Sequence, residues 1–87
     1  MSEESPLNFP CAFPIKIMGR DSPEFRQTAR LLVEKHTGPV NDSAINDALS
    51  SKGNFVSITI TVNALSQEQL DNIYRDVSSN DDVLMAL

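Results

Sequence analysis

The segment from Phe55 to Ala64 alternates without a break, with Val56, Ile58, Ile60 and Val62 on one side and Phe55, Ser57, Thr59 and Thr61 on the other. Successive side chains of a strand point to opposite faces, so this period of two predicts a half-buried β-strand running through Asn63. One of its faces must meet a core while the other stays open. Such a strand needs further strands beside it and a layer over its apolar side. A chain of 87 residues has room for one such domain and one thin core.

The rest of the chain supplies those partners in order. Residues 1–8 are polar, include Pro6, and are expected to form a flexible tail, leaving residues 9–87 as the domain. A strand-like stretch is expected from Phe9 to Gly19, regular from about Pro14, with Phe13, Ile15 and Ile17 on one face and Lys16 and Met18 on the other. Ser22 followed by Pro23 reads as a helix cap and first turn, with Asp21 and Glu24 as a competing capping-box frame. Phe25, Thr28, Ala29, Leu32, Val33 and His36 then recur at helical spacing until Gly38 and Pro39 end the helix. The stretch from Val40 to Ser50 reads as a weak polar strand, with a short helix as the alternative. A turn with Gly53 at its tip leads into the alternating strand. Ser66 and Gln69 form a capping box for a second helix, with Leu65 and Leu70 as its hydrophobic staple and Leu70, Ile73, Tyr74 and Val77 as its apolar stripe. A turn at 78–82 and a short strand from Val83 to Leu87 close the chain.

The order strand, helix, strand, strand, helix, strand predicts an α+β ferredoxin-like βαββαβ sandwich. Its four-stranded antiparallel sheet has the order 4-1-3-2, and right-handed crossovers place both helices on one face. The chain also resembles the small bacterial YbeD-like family. The resembling residues are Phe9-Pro10, Lys16, Met18-Gly19, and the run Ser50-Ser51-Lys52-Gly53-Asn54-Phe55 followed by Ser57, Ile58 and Thr59. That family is similar in fold to the ACT regulatory domains. The resemblance implies a non-catalytic regulatory protein with a connection to lipoate metabolism, and it brings no ligand residues with it.

Charge narrows the partners. Seven basic residues stand against twelve acidic ones, a net charge of −5, which argues against nonspecific nucleic-acid binding. The imbalance is local: residues 66–87 carry Glu68, Asp71, Asp76, Asp81 and Asp82 against Arg75 alone. A single cysteine, Cys11, cannot form an internal disulfide, and the start of the chain lacks a signal-peptide pattern. No apolar run approaches the roughly 20 residues needed to span a bilayer. A cytoplasmic protein with no membrane contact is expected.

Two candidate sites follow from the predicted topology. Gly19, Arg20, Ser51, Lys52 and Gly53 are expected at one end of the sheet beside the first helix N-terminus, as a site for a small anionic metabolite. The plainer account of this end is a solvated turn next to a helix already capped by its own side chains. The open sheet face, with Lys16, Met18, Phe55, Ser57, Thr59 and Thr61, is the candidate partner surface, for a second copy in a homodimer or for the helix of another protein. Pairing through the edge of strand two is another route to a dimer. Nucleic-acid binding is the alternative reading of the open face, which offers one aromatic, Phe55, where RNA-binding sheets present several.

No catalytic set emerges. His36 is the sole histidine and reads as a core or carbonyl-capping residue, so no metal or other cofactor is expected. Cys11, Met18 and Met85 read as packing residues, and Asp71 with Arg75 as a surface pair at helical spacing. The chain is therefore expected not to be an enzyme.

Overall fold

In the computed structural model, which describes residues 8–87, the chain forms β1 (Cys11–Arg20), α1 (Pro23–Thr37), a single 3-10 turn (Asp42–Ala44), β2 (Ile45–Leu49), β3 (Phe55–Ala64), α2 (Gln67–Ser78) and β4 (Val83–Ala86). All strand pairs are antiparallel and the sheet order is β2-β3-β1-β4. This is the ferredoxin-like βαββαβ sandwich, with both helices on one face. The expected tail of residues 1–8 lies, up to residue 7, outside the described residues.

The alternation of β3 decides where the core sits. Val56, Ile58, Ile60, Val62 and Ala64 are buried, as are Ile15 and Ile17 of β1. The roof comes from Phe25, Ala29 and Val33 on α1 and from Leu70, Ile73 and Val77 on α2. On both helices these residues recur every three or four positions, which puts them on one stripe. Each large apolar side chain removed from water contributes about 1.5–3 kcal/mol, and no polar residue among those described is buried with them.

Both helix starts follow from local chemistry. The Ser22 hydroxyl accepts a hydrogen bond from the Phe25 N–H at 2.9 Å, so Ser22, not Asp21, is the cap of α1. The Ser66 hydroxyl accepts from the Gln69 N–H at 3.1 Å. The reciprocal bond of the capping box is displaced by one residue: Gln69 Oε1 accepts from the N–H of Leu65, and its Nε2 donates to the His36 carbonyl at the end of α1. Leu65 remains 60% exposed, so the expected staple with buried Leu70 is loose.

Strand β1 runs from Cys11 to Arg20, so its regular part begins three residues before the expected start at Pro14, and Pro14 pairs with Thr61 in the middle of the sheet. The Lys16 N–H points toward β4, where it donates to the Leu87 carbonyl. By the two-residue period the nitrogen of Pro14 faces the same side, beyond the end of β4. Its missing N–H therefore removes no ladder bond. The ambiguous stretch before the hairpin resolves into both alternatives in sequence, the 3-10 turn and then the edge strand β2.

Candidate functional site

Among the described residues, nothing covers the face of the sheet away from the helices. Lys16, Met18 and Arg20 of β1 lie on it, beside Phe55, Ser57, Thr59 and Thr61 of β3, because these are the positions out of phase with the buried ones. Arg20 and Phe55 are directly opposite in register, and the guanidinium carbon stands 5.3 Å from the ring centroid. That cation–π contact holds Phe55 in place at 39% exposure.

A bulge enlarges the apolar part of this surface. Met18 pairs with Met85 and Gly19 with Val83, so Leu84 is an extra residue in β4. Leu84 and Met85 are 65% and 50% exposed, and Leu84 joins Met18, Ala48, Phe55 and Ser57 around an apolar pocket of about 270 Å³. Met85 is thus a surface residue, not the packing residue expected of it. The bulge left no trace in the periodicity of so short a strand; its signal was the unbroken apolar run Val83–Leu87 in a position that needs only one apolar face.

Charge divides the molecule. Among the described residues, the sole acidic residue within a strand is Asp47 of β2, and its register partner Ile58 shows that it faces the helix layer. The open face therefore carries Lys16 and Arg20 and no strand carboxylate, on a chain of net charge −5. Neither cation forms a salt bridge among the described residues.

At the hairpin end, Gly19, Arg20, Ser51, Lys52 and Gly53 lie at one end of the sheet. The Asp21 N–H donates to the Asn54 carbonyl at 3.0 Å, and Gly53 takes φ 75° at the turn tip. The adjoining N-terminus of α1 already has internal partners. Ser22 caps it, and Asp21 accepts from Arg26 Nε at 2.8 Å, which holds the Asp21 carboxyl below its ordinary value. Gly19 is fully enclosed: a Cβ there would stand 2.5 Å from the Phe25 ring and 2.6 Å from the Asp82 carbonyl oxygen. Arg20 turns onto Phe55 and the open face.

Sequence reasoning missed the opposite side. A groove of about 570 Å³ separates α1 from the edge strand β2, floored by Ile45 and Ile58. Arg26 crosses it to Asp47, while Arg30 binds Glu34, Asp42 and the Val40 carbonyl. Glu34 is held low first by the Val40 N–H and then by Arg30. The i, i+4 spacings of Arg26, Arg30 and Glu34 were the available signal. His36 neither fills the core nor caps carbonyls; its Nε2 lies 2.6 Å from Asp76 of α2, which also takes Lys35 at 3.1 Å. Arg75 bonds Asn72, and Asp71 accepts from Gln67, so the expected Asp71–Arg75 pair is replaced by two others.

Among the described residues, no three His, Cys, Asp or Glu side chains are grouped to hold a metal ion, and no helix is long and apolar enough to cross a membrane. The family described as "Protein of unknown function (DUF493)" matches residues 4–87. A UPF0250 protein of Paraburkholderia phytofirmans is 44% identical over 84 residues, covering 97% of this chain and 94% of the relative. A UPF0250 protein of Neisseria gonorrhoeae is 42% identical over 86 residues, covering 99% and 94%. The solution structure of protein HP0495 from H. pylori superposes with a TM-score of 0.74 at 17% identity, over 99% of this chain and 90% of that one. That likeness confirms the fold.

Proposed function

The chain belongs to the DUF493 family of unknown function, with a ferredoxin-like fold, and on that premise we propose that it is a non-catalytic regulatory or adaptor domain that docks another protein on its open sheet face. The observation that carries this reading is the partly apolar open face, whose strands carry no carboxylate among the described residues, on a chain of net charge −5. An apolar patch with a basic edge suits a protein surface in which carboxylates surround apolar side chains.

A second copy is the weaker occupant of this face. Two copies meeting sheet to sheet would bring together two Lys16 and two Arg20 side chains with no strand carboxylate between them. A small anionic metabolite is also the weaker ligand. The α1 terminus beside Arg20 is satisfied by Ser22, and Asp21 is engaged with Arg26. Arg20 and Lys52 then act as rim cations for a carboxylate of the partner protein. The YbeD-like resemblance supports the regulatory setting, while no feature of the open face speaks for lipoate itself.

The test is capture from bacterial lysate with tagged wild type and with the double variant Phe55→Ser, Met85→Ser. The wild type is expected to retain specific proteins that the variant loses while the variant still unfolds in one cooperative transition, since Phe55 and Met85 lie on the open face and outside the buried core. Identical capture by both proteins removes the reading. A gel-shift titration at two salt concentrations addresses the alternative: strong, salt-sensitive binding would make the open face a nucleic-acid surface instead.

A further inference from the structure

The chemistry of the open face also specifies what kind of segment it takes, an inference that rests on the docking reading above. Three features act together. The pocket bounded by Met18, Phe55 and Leu84 holds about 270 Å³, at the small end of the roughly 300–1,000 Å³ range of small-molecule sites and ample for one large apolar side chain. Lys16 and Arg20 stand two residues to either side of Met18 on the same strand face. At about 3.4 Å per residue each is some 7 Å along the strand from Met18, and Arg20 also borders the pocket through its register partner Phe55. Finally, the backbone groups of β1 and β3 are engaged in their ladders, in the plane of the sheet.

The last point selects the backbone of the partner. An extended segment lying on this face would find side chains and no backbone groups, and its own N–H and C=O groups would go unpaired. A helix satisfies its backbone internally and presents side chains alone. Four residues of helix advance about 6 Å and return to within about 40° of the same direction. A carboxylate, an apolar residue and a second carboxylate at positions i, i+4 and i+8 therefore match Arg20, the pocket and Lys16, or the reverse order.

We propose that the open face receives an acidic amphipathic helix, with its central apolar side chain in the Met18–Phe55–Leu84 pocket and a carboxylate one turn to each side meeting Arg20 and Lys16. The neutral, small Ser57 and Thr59 beside this lane let the helix approach without displacing a large side chain. The same helix is repelled by the outer surface of α2, where Glu68 and Asp71 outnumber Arg75.

The probe is a capped, alanine-rich helical peptide of about 20 residues, long enough to hold a helix, carrying Glu-Ala-Ala-Ala-Leu-Ala-Ala-Ala-Glu at its centre. It is titrated into the isotope-labelled protein and followed through backbone amide shifts. Shifts are expected at Lys16–Arg20, Phe55–Ser57 and Leu84. Replacing the peptide leucine by serine should weaken binding at least about tenfold. Replacing both glutamates by glutamine should weaken it about fivefold, as should Arg20→Ser with Lys16→Ser in the protein. The inference is overturned if open-face amides do not shift up to millimolar peptide, if the shifts centre on the α1–β2 groove, or if the glutamine peptide binds within twofold of the glutamate one. In any of those cases, retained capture that depends on Phe55 and Met85 leaves the docking reading standing and removes only the helix. Loss of that capture as well removes both.

Discussion

Gly19 shows how a single position is shaped by neighbours far along the chain. It lies in β1 where the Phe25 ring and the Asp82 carbonyl close over it, and a methyl group has nowhere to go. Gly19→Ala is expected to lower stability by about 1–3 kcal/mol, as overpacking does, read as a lower urea midpoint with an unchanged slope. An unchanged midpoint would mean that the Phe25 ring swings aside freely. From the chain alone this glycine looked like part of an anion-binding exit, because the residues that crowd it are 6 and 63 positions away in sequence. His36 teaches the same lesson. Its helical phase was readable, but its partner Asp76 sits on another helix, and that pairing arises only when α1 and α2 pack.

Among the elements, what depends on neighbours within one turn was legible. The Ser22 cap, the proline in the first turn and the glycine stop define α1 at both ends. Ser22→Ala is expected to remove about 1 kcal/mol, measured by chemical denaturation, and Ser22→Asp should restore most of the loss. Strand β3 was legible for a related reason: ten residues of strict alternation leave no competing period. Strands β2 and β4 were less so. At five and four residues they are too short for periodicity to separate a strand from a turn or to reveal a bulge. Pro14 set the expected start of the regular part of β1 three residues too late, because its missing N–H points past the end of the neighbouring strand.

For the molecule as a whole, acid should be the sensitive variable. Asp76 is held below its usual 3.8 first by the His36 hydrogen bond and then by Lys35, Asp21 likewise by Arg26, and Glu34 below its usual 4.5 by the Val40 N–H and Arg30. In the unfolded chain these carboxyls bind protons more readily than in the native one. Their contribution is therefore complete above the ordinary carboxylate range and drains away as pH falls through the lower native values. The thermal midpoint is expected to drop as pH is taken below about 4.5, with a shallower drop for Asp76→Asn. Equal slopes for the two proteins would show that Asp76 does not contribute to the effect. Capture through the open face should weaken as ionic strength rises, because its two cations are solvent-facing and screened within about 10 Å at 0.1 M salt.

The layering of this protein was written in its periodicities: two helical stripes and one long alternating strand can bury their apolar sides together in few ways, and that constraint is local at every step. The candidate anion end was deduced from topology, and the structure places its residues at one end of the sheet, yet it turns Arg20 onto Phe55. The extent of the apolar corner, the ion-paired groove beside β2 and the absence of strand carboxylates from the open face came from packing. Each depends on register between strands and on contacts across tens of residues. A linear pattern carries each residue's own preference and not the identity of the side chain that will stand across from it.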